Sequence, residues 1–96
     1  MVSRSIWTLP INRFFHHRFD DDRYLLFDKL SGRTHLLNSL CMDTLDILKQ
    51  TDLDSGELIK VLAENNGISL DEEWIEYINA MLVDLDNQGL IEPYVL

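Results

Sequence analysis

Three histidines, one cysteine and a run of three aspartates are the side chains with the chemistry for metal binding or nucleophilic catalysis. His16 and His17 are adjacent. Neighbours in a strand point to opposite faces, so the two rings cannot share a metal. His35 lies far along the chain, and no His-x-x-x-His or Glu-x-x-His spacing occurs. Asp20-Asp21-Asp22 lacks the glycine and distal glutamate of a calcium loop and reads as a solvated turn. Cys41 falls on an apolar helical stripe with no base assignable beside it, so it reads as a small packed residue. As the sole cysteine, it excludes an intramolecular disulfide and a multi-cysteine zinc site. The four glycines (Gly32, Gly56, Gly67, Gly89) sit at predicted turns or helix ends, so there is no phosphate-cradling loop. The expectation is a chain without catalytic residues, metal or cofactor.

The residues better suited to function are ones that bind by shape. Thr34-His35-Leu36-Leu37 reads as a short strand that passes directly into a helix, which leaves it at a sheet edge. Edge strands offer unpaired N–H and C=O groups to an extended peptide. In the last helix, Tyr77 lies beyond the Trp74/Met81 side of the apolar stripe and next to Asp84. That flank is apolar inside and acidic outside, which suits an amphipathic or basic peptide. The candidate peptide-binding residues are Thr34, His35, Leu36, Leu37, Trp74, Tyr77 and Met81.

The elements that must position them follow from the pattern. Residues 1–13 read as a loop or short edge strand. Phe15 to Phe19 and Arg23 to Asp28 read as strands joined by the aspartate turn. Tyr24, Leu26 and Asp28 share one face, Leu25 and Phe27 the other. Both faces look partly apolar, one for helices and the other for the N-terminal segment. Lys29-Leu30-Ser31-Gly32 turns the chain into the third strand. Asn38 or Ser39 caps a first helix running to about Gln50, with the stripe Leu40, Cys41, Leu45 and Leu48. Residues 51–54 break it. Asp54 and Glu57 have capping-box spacing for a second helix that stops at Asn65-Asn66-Gly67. Ser69 and Glu72 have the same spacing for a third helix, closed by Gly89, with the stripe Trp74, Ile75, Ile78, Met81, Leu82 and Leu85. Pro93 makes the tail an edge or turn element. The fold class is α+β: a three-stranded antiparallel sheet followed by a three-helix bundle, in one domain over residues 1–96.

Charge narrows the partners. The chain has 96 residues and a formal net charge of -9. Residues 1–38 carry six basic and four acidic side chains, whereas residues 39–96 carry two and thirteen. Nucleic-acid affinity comes largely from neutralising phosphates, and the helices that would enter a groove are the acidic ones. A winged-helix DNA-binding regulator is the alternative this disfavours. A scaffold or dimerisation subunit, forming a homodimer by exchange of the N-terminal segment, is the other alternative. No apolar run approaches the ~18 residues of a membrane helix, and the N-terminus lacks a secretory apolar core, so a cytoplasmic protein is expected.

The run Asp28-Lys29-Leu30-Ser31-Gly32-Arg33-Thr34-His35-Leu36-Leu37-Asn38 resembles the signature of the PqqD family. Leu85-Asp86-Asn87-Gln88-Gly89-Leu90-Ile91-Glu92-Pro93 resembles its closing pattern. Trp7-Thr8-Leu9-Pro10 resembles a PqqD-like subgroup found with an HPr-kinase-related protein. Cys41 stands where the family usually has alanine. The resemblance implies a winged-helix-like RiPP recognition element. Such a peptide chaperone binds the leader of a ribosomally made precursor and presents it to a modifying enzyme, without catalysis of its own. It also implies that the leader adds to the strand Thr34 to Leu37, beside the third helix.

Overall fold

The computed structural model describes residues 5–10 and 14–95, with the backbone alone at 5, 94 and 95. In chain order the elements are β1 (Ser5–Thr8), β2 (Phe14–Arg18), β3 (Arg23–Asp28), β4 (Thr34–Asn38), α1 (Ser39–Gln50), β5 (Leu53–Asp54), α2 (Ser55–Asn66), α3 (Glu72–Asn87) and β6 (Glu92–Val95). The expected antiparallel meander is present as a three-stranded sheet in the order β2-β3-β4. Three helices follow it in sequence, and the class is α+β.

Two turns set the meander. Asp20 closes the first: its carboxylate accepts the backbone N–H groups of Asp22 (3.0 Å) and Arg23 (2.8 Å) and pairs with the Arg23 guanidinium. That pairing holds the Asp20 carboxyl below the usual aspartate range. Asp28 closes the second, accepting from Leu30 N–H (3.0 Å) and the Ser31 hydroxyl (2.8 Å). Gly32 completes this turn at φ 74, a left-handed conformation in which a side chain is strained.

A second antiparallel sheet, in the order β5-β1-β6, corrects two expectations. The N-terminal segment is its central strand from Ser5 to Thr8, rather than a loop or edge; residues 1–4 and 11–13 of that segment lie outside the described residues. The segment after α1 is more than a helix break, because Leu53 and Asp54 pair with Trp7 and Ile6. Pro93 sits opposite Trp7 on edge strand β6, a position that tolerates its missing N–H. The Trp7 indole N–H donates to the Ser55 hydroxyl at 2.8 Å, tying this sheet to the start of α2.

The helix ends are largely those written in the sequence. The Asn38 side chain caps α1 by accepting from Cys41 N–H. Asp54 and Glu57 form a reciprocal capping box on α2, and Gly67 ends that helix at φ 63. The α3 cap differs from expectation. Asp71, not Ser69, accepts from Trp74 N–H at 2.9 Å, and the helix begins at Glu72. Ser69 instead lies in the preceding turn, where its carbonyl accepts the Asp71 N–H. Because Asp54 is itself buried, removing its carboxylate orphans the Glu57 N–H. Asp54→Ala is expected to cost about 1–2 kcal/mol, seen as a lower urea midpoint. An unchanged midpoint would contradict this account of the cap.

The core lies between the sheets and the helices. Leu58, Leu62, Ile78, Leu82, Leu85, Leu90 and Ile91 are its most deeply buried apolar side chains. On α1, Met42, Leu45 and Leu48 are buried, while Leu40 and Cys41 are only partly so. The stripe is therefore rotated towards Met42. On β3, Leu26 faces the core with Asp28 and Tyr24 on the same side. Phe27 is covered across the opposite face by Phe15, stacked at 5.0 Å, and by His17 at 5.8 Å.

Candidate functional site

The sheet order leaves β4 unpaired on one side among the described residues. The ladder tells which of its backbone groups are free. Asp28 N–H donates to Arg33 C=O at 2.9 Å, so that pair is a hydrogen-bonded one. Antiparallel pairs alternate. Leu26↔His35 and Tyr24↔Leu37 are then also hydrogen-bonded pairs, whereas Phe27↔Thr34, Leu25↔Leu36 and Arg23↔Asn38 are not. The N–H and C=O groups of Thr34 and Leu36 therefore point away from β3, to the open edge.

Side chains alternate in the same register. His35 and Leu37 face the helices, and Leu37 is buried. Thr34, Leu36 and Asn38 are exposed, with Leu36 53% exposed. Thr34 and Leu36 thus contribute backbone to the edge, and Leu37 packs its side chain into the core beneath it.

One flank of α3 comes to this edge. The His35 imidazole Nδ1 lies 3.3 Å from Gln88 Oε1, and the Gln88 amide donates to Asp84 Oδ2 at 2.8 Å. Gln88 thereby links the strand edge to Asp84, with His35 assigned as donor by this network. Stepping back along the helix by three or four residues reaches Met81 and then Tyr77 on the same flank. Met81 is half-buried against the core. Tyr77 is 51% exposed, its ring 6.1 Å from that of Trp74. Trp74 itself is a core residue, 8% exposed, with its indole N–H donated to the Ile59 carbonyl of α2 at 3.0 Å. Of the three helix residues chosen from the sequence, Tyr77 and Met81 meet the surface, and Trp74 supports Tyr77 from below.

Cys41 adjoins the same corner from the first turn of α1. Burial pushes its thiol above the ordinary cysteine value; the Asp84 charge acts in the same direction, and the hydrogen bond with Asn38 opposes both. At neutral pH it is a protonated thiol, a poor nucleophile. No group of three or more His, Cys, Asp or Glu residues suited to a metal occurs among the described residues. No described helix is long and apolar enough to cross a membrane.

Sequence reasoning missed Gln88, whose one available signal was its spacing of four from Asp84. It also missed a cleft of about 580 Å³ beside β2, floored by Leu9, Phe14, Leu26, Met42, Leu45 and Leu48. This concavity joins segments far apart in the chain and has no local pattern.

No protein-family model matches the chain. No curated protein matches it in sequence. Among solved structures it is similar to TbiB1 in complex with the TbiA(beta) leader peptide, with a TM-score of 0.68 at 15% sequence identity, over 91% of this chain and 96% of that one. Near-complete coverage of both chains at so low an identity makes the likeness one of fold, and the chain shares the α+β fold of a protein solved with a leader peptide bound.

Proposed function

We propose that the chain is a PqqD-like peptide-binding adaptor, a RiPP recognition element in a single winged-helix-like domain. It is a cytoplasmic protein that binds the leader of a ribosomally made precursor by strand addition and presents it to a separate modifying enzyme. Catalysis belongs to that enzyme, and the adaptor itself needs no cofactor. The observation that carries this reading is the open β4 edge, with free backbone groups at Thr34 and Leu36, beside the Tyr77–Met81 flank of α3. Main-chain pairing supplies affinity with little sequence demand, and the flank supplies selection. The fold it shares with leader-bound TbiB1 supports the same reading.

Amide chemical-shift mapping with the leader of the precursor encoded beside this chain tests it. Shifts are expected at Thr34 to Asn38 and along Tyr77 to Gln88. Shifts confined to other elements, or none at saturating peptide, would overturn it.

A further inference from the structure

We propose that the segment added to β4 carries Lys or Arg at the residue opposite His35 and an apolar residue two positions away, opposite Leu37. This rests on the strand-addition reading and names the class of peptide it takes: extended, with alternating apolar and cationic residues on one face.

The argument is geometric first. A residue added opposite His35 shares its face, because directly paired residues point the same way. That face is the helix side, where His35 touches Gln88 and Gln88 holds Asp84. The incoming side chain therefore projects towards the Asp84 carboxylate. Asp84 is exposed, and among the described residues it has no cationic partner; its hydrogen bond comes from a neutral amide. α3 carries Glu72, Glu73, Glu76, Asp84 and Asp86 and not one Lys or Arg. A cation is the charge this flank leaves unmatched, and Lys or Arg can lay its methylene stem on the half-buried Met81 and Cys41 while its head reaches Asp84. Cys41 sits just past the end of β4, its backbone N–H held by the Asn38 side chain at 2.9 Å.

The spacing is physical as well. Groove-facing residues of an extended peptide recur about every 6.6 Å, and helix residues four apart recur every 6 Å or so. The two repeats are close to equal, so an extended peptide lying along α3 would place one groove-facing side chain per helical turn. With the cation at Asp84, its neighbour on the same face falls on the partly buried surface around Leu37 and Cys41.

Two capped synthetic peptides test the proposal, Thr-Leu-Thr-Lys-Thr-Leu-Thr and the same sequence with Glu for Lys, titrated at low salt with readout at the β4 amides. The Lys peptide is expected to bind about three- to tenfold more tightly, with the difference shrinking as salt rises. Asp84→Asn should abolish the preference, and Asp84→Lys should invert it. Equal binding of both peptides at β4, or a preference that survives both substitutions, overturns the charge assignment and leaves strand addition standing. No shift at β4 with either peptide overturns both.

Discussion

Trp74→Ala is expected to cost about 3–5 kcal/mol, the largest loss from any single change in the candidate site. Its side chain is 8% exposed, and its indole N–H reaches the Ile59 carbonyl across the α2–α3 interface. Truncation removes a large apolar surface, opens a cavity between two helices and breaks that bond. A domain of this size has only about 5–15 kcal/mol in hand, so Trp74→Ala should remove a large share of it and unfold at a much lower urea concentration. Trp74→Phe separates the two roles considered for this ring. It keeps most of the packing and loses the hydrogen bond, at about 1 kcal/mol plus some repacking. Urea unfolding should show that modest loss while peptide affinity stays within about twofold. A Trp74→Phe variant that is stable yet fails to bind would place Trp74 on the binding surface.

Leu36→Pro is expected to weaken peptide binding by roughly five- to thirtyfold, about 1–2 kcal/mol, with the domain still folded. The substitution removes the Leu36 N–H, which points to the open edge and takes no part in the β3–β4 ladder. Proline is tolerated at such positions because no internal bond is lost, and its ring also obstructs an incoming strand. Leu36→Ala is the control. It shortens an exposed side chain and keeps the N–H, so binding should fall little. Calorimetric titration of the two variants reads the difference, and circular dichroism confirms that both are folded. Equal affinities for Leu36→Pro and Leu36→Ala would mean that the peptide does not pair with β4.

Much of this architecture was legible where the decisive contacts are local. The Asp54–Glu57 capping box, the Gly67 stop and the Asp20 turn each depend on residues within a few positions of one another, and the tight turns at Asp20 and Asp28 fix the pairing of the β2-β3-β4 meander. The second sheet was not legible for the opposite reason. β1 joins Leu53–Asp54 and Glu92–Val95, and a two-residue strand has no periodicity to read. The α3 cap fell to Asp71 rather than Ser69, although Ser69 has the stricter capping-box spacing with Glu72. In the candidate site, the β4 edge and the exposure of Tyr77 followed from strand order and helical spacing. The burial of Trp74 followed from its place on the apolar stripe, but the partner of its indole did not, because that partner is a backbone carbonyl of another helix and leaves no trace in the residue alphabet. The contact between His35 and Gln88, which brings the edge and the α3 flank together, likewise spans more than half the chain.

The most direct measurement is amide hydrogen exchange along β4, with and without saturating leader peptide. His35 and Leu37 already donate into the β3 ladder, so their amides should be protected in both states. Thr34 and Leu36 should exchange freely in the unbound protein and become protected together when the peptide pairs with them. Thr34 and Leu36 amides that stay unprotected at saturation would contradict strand addition at β4.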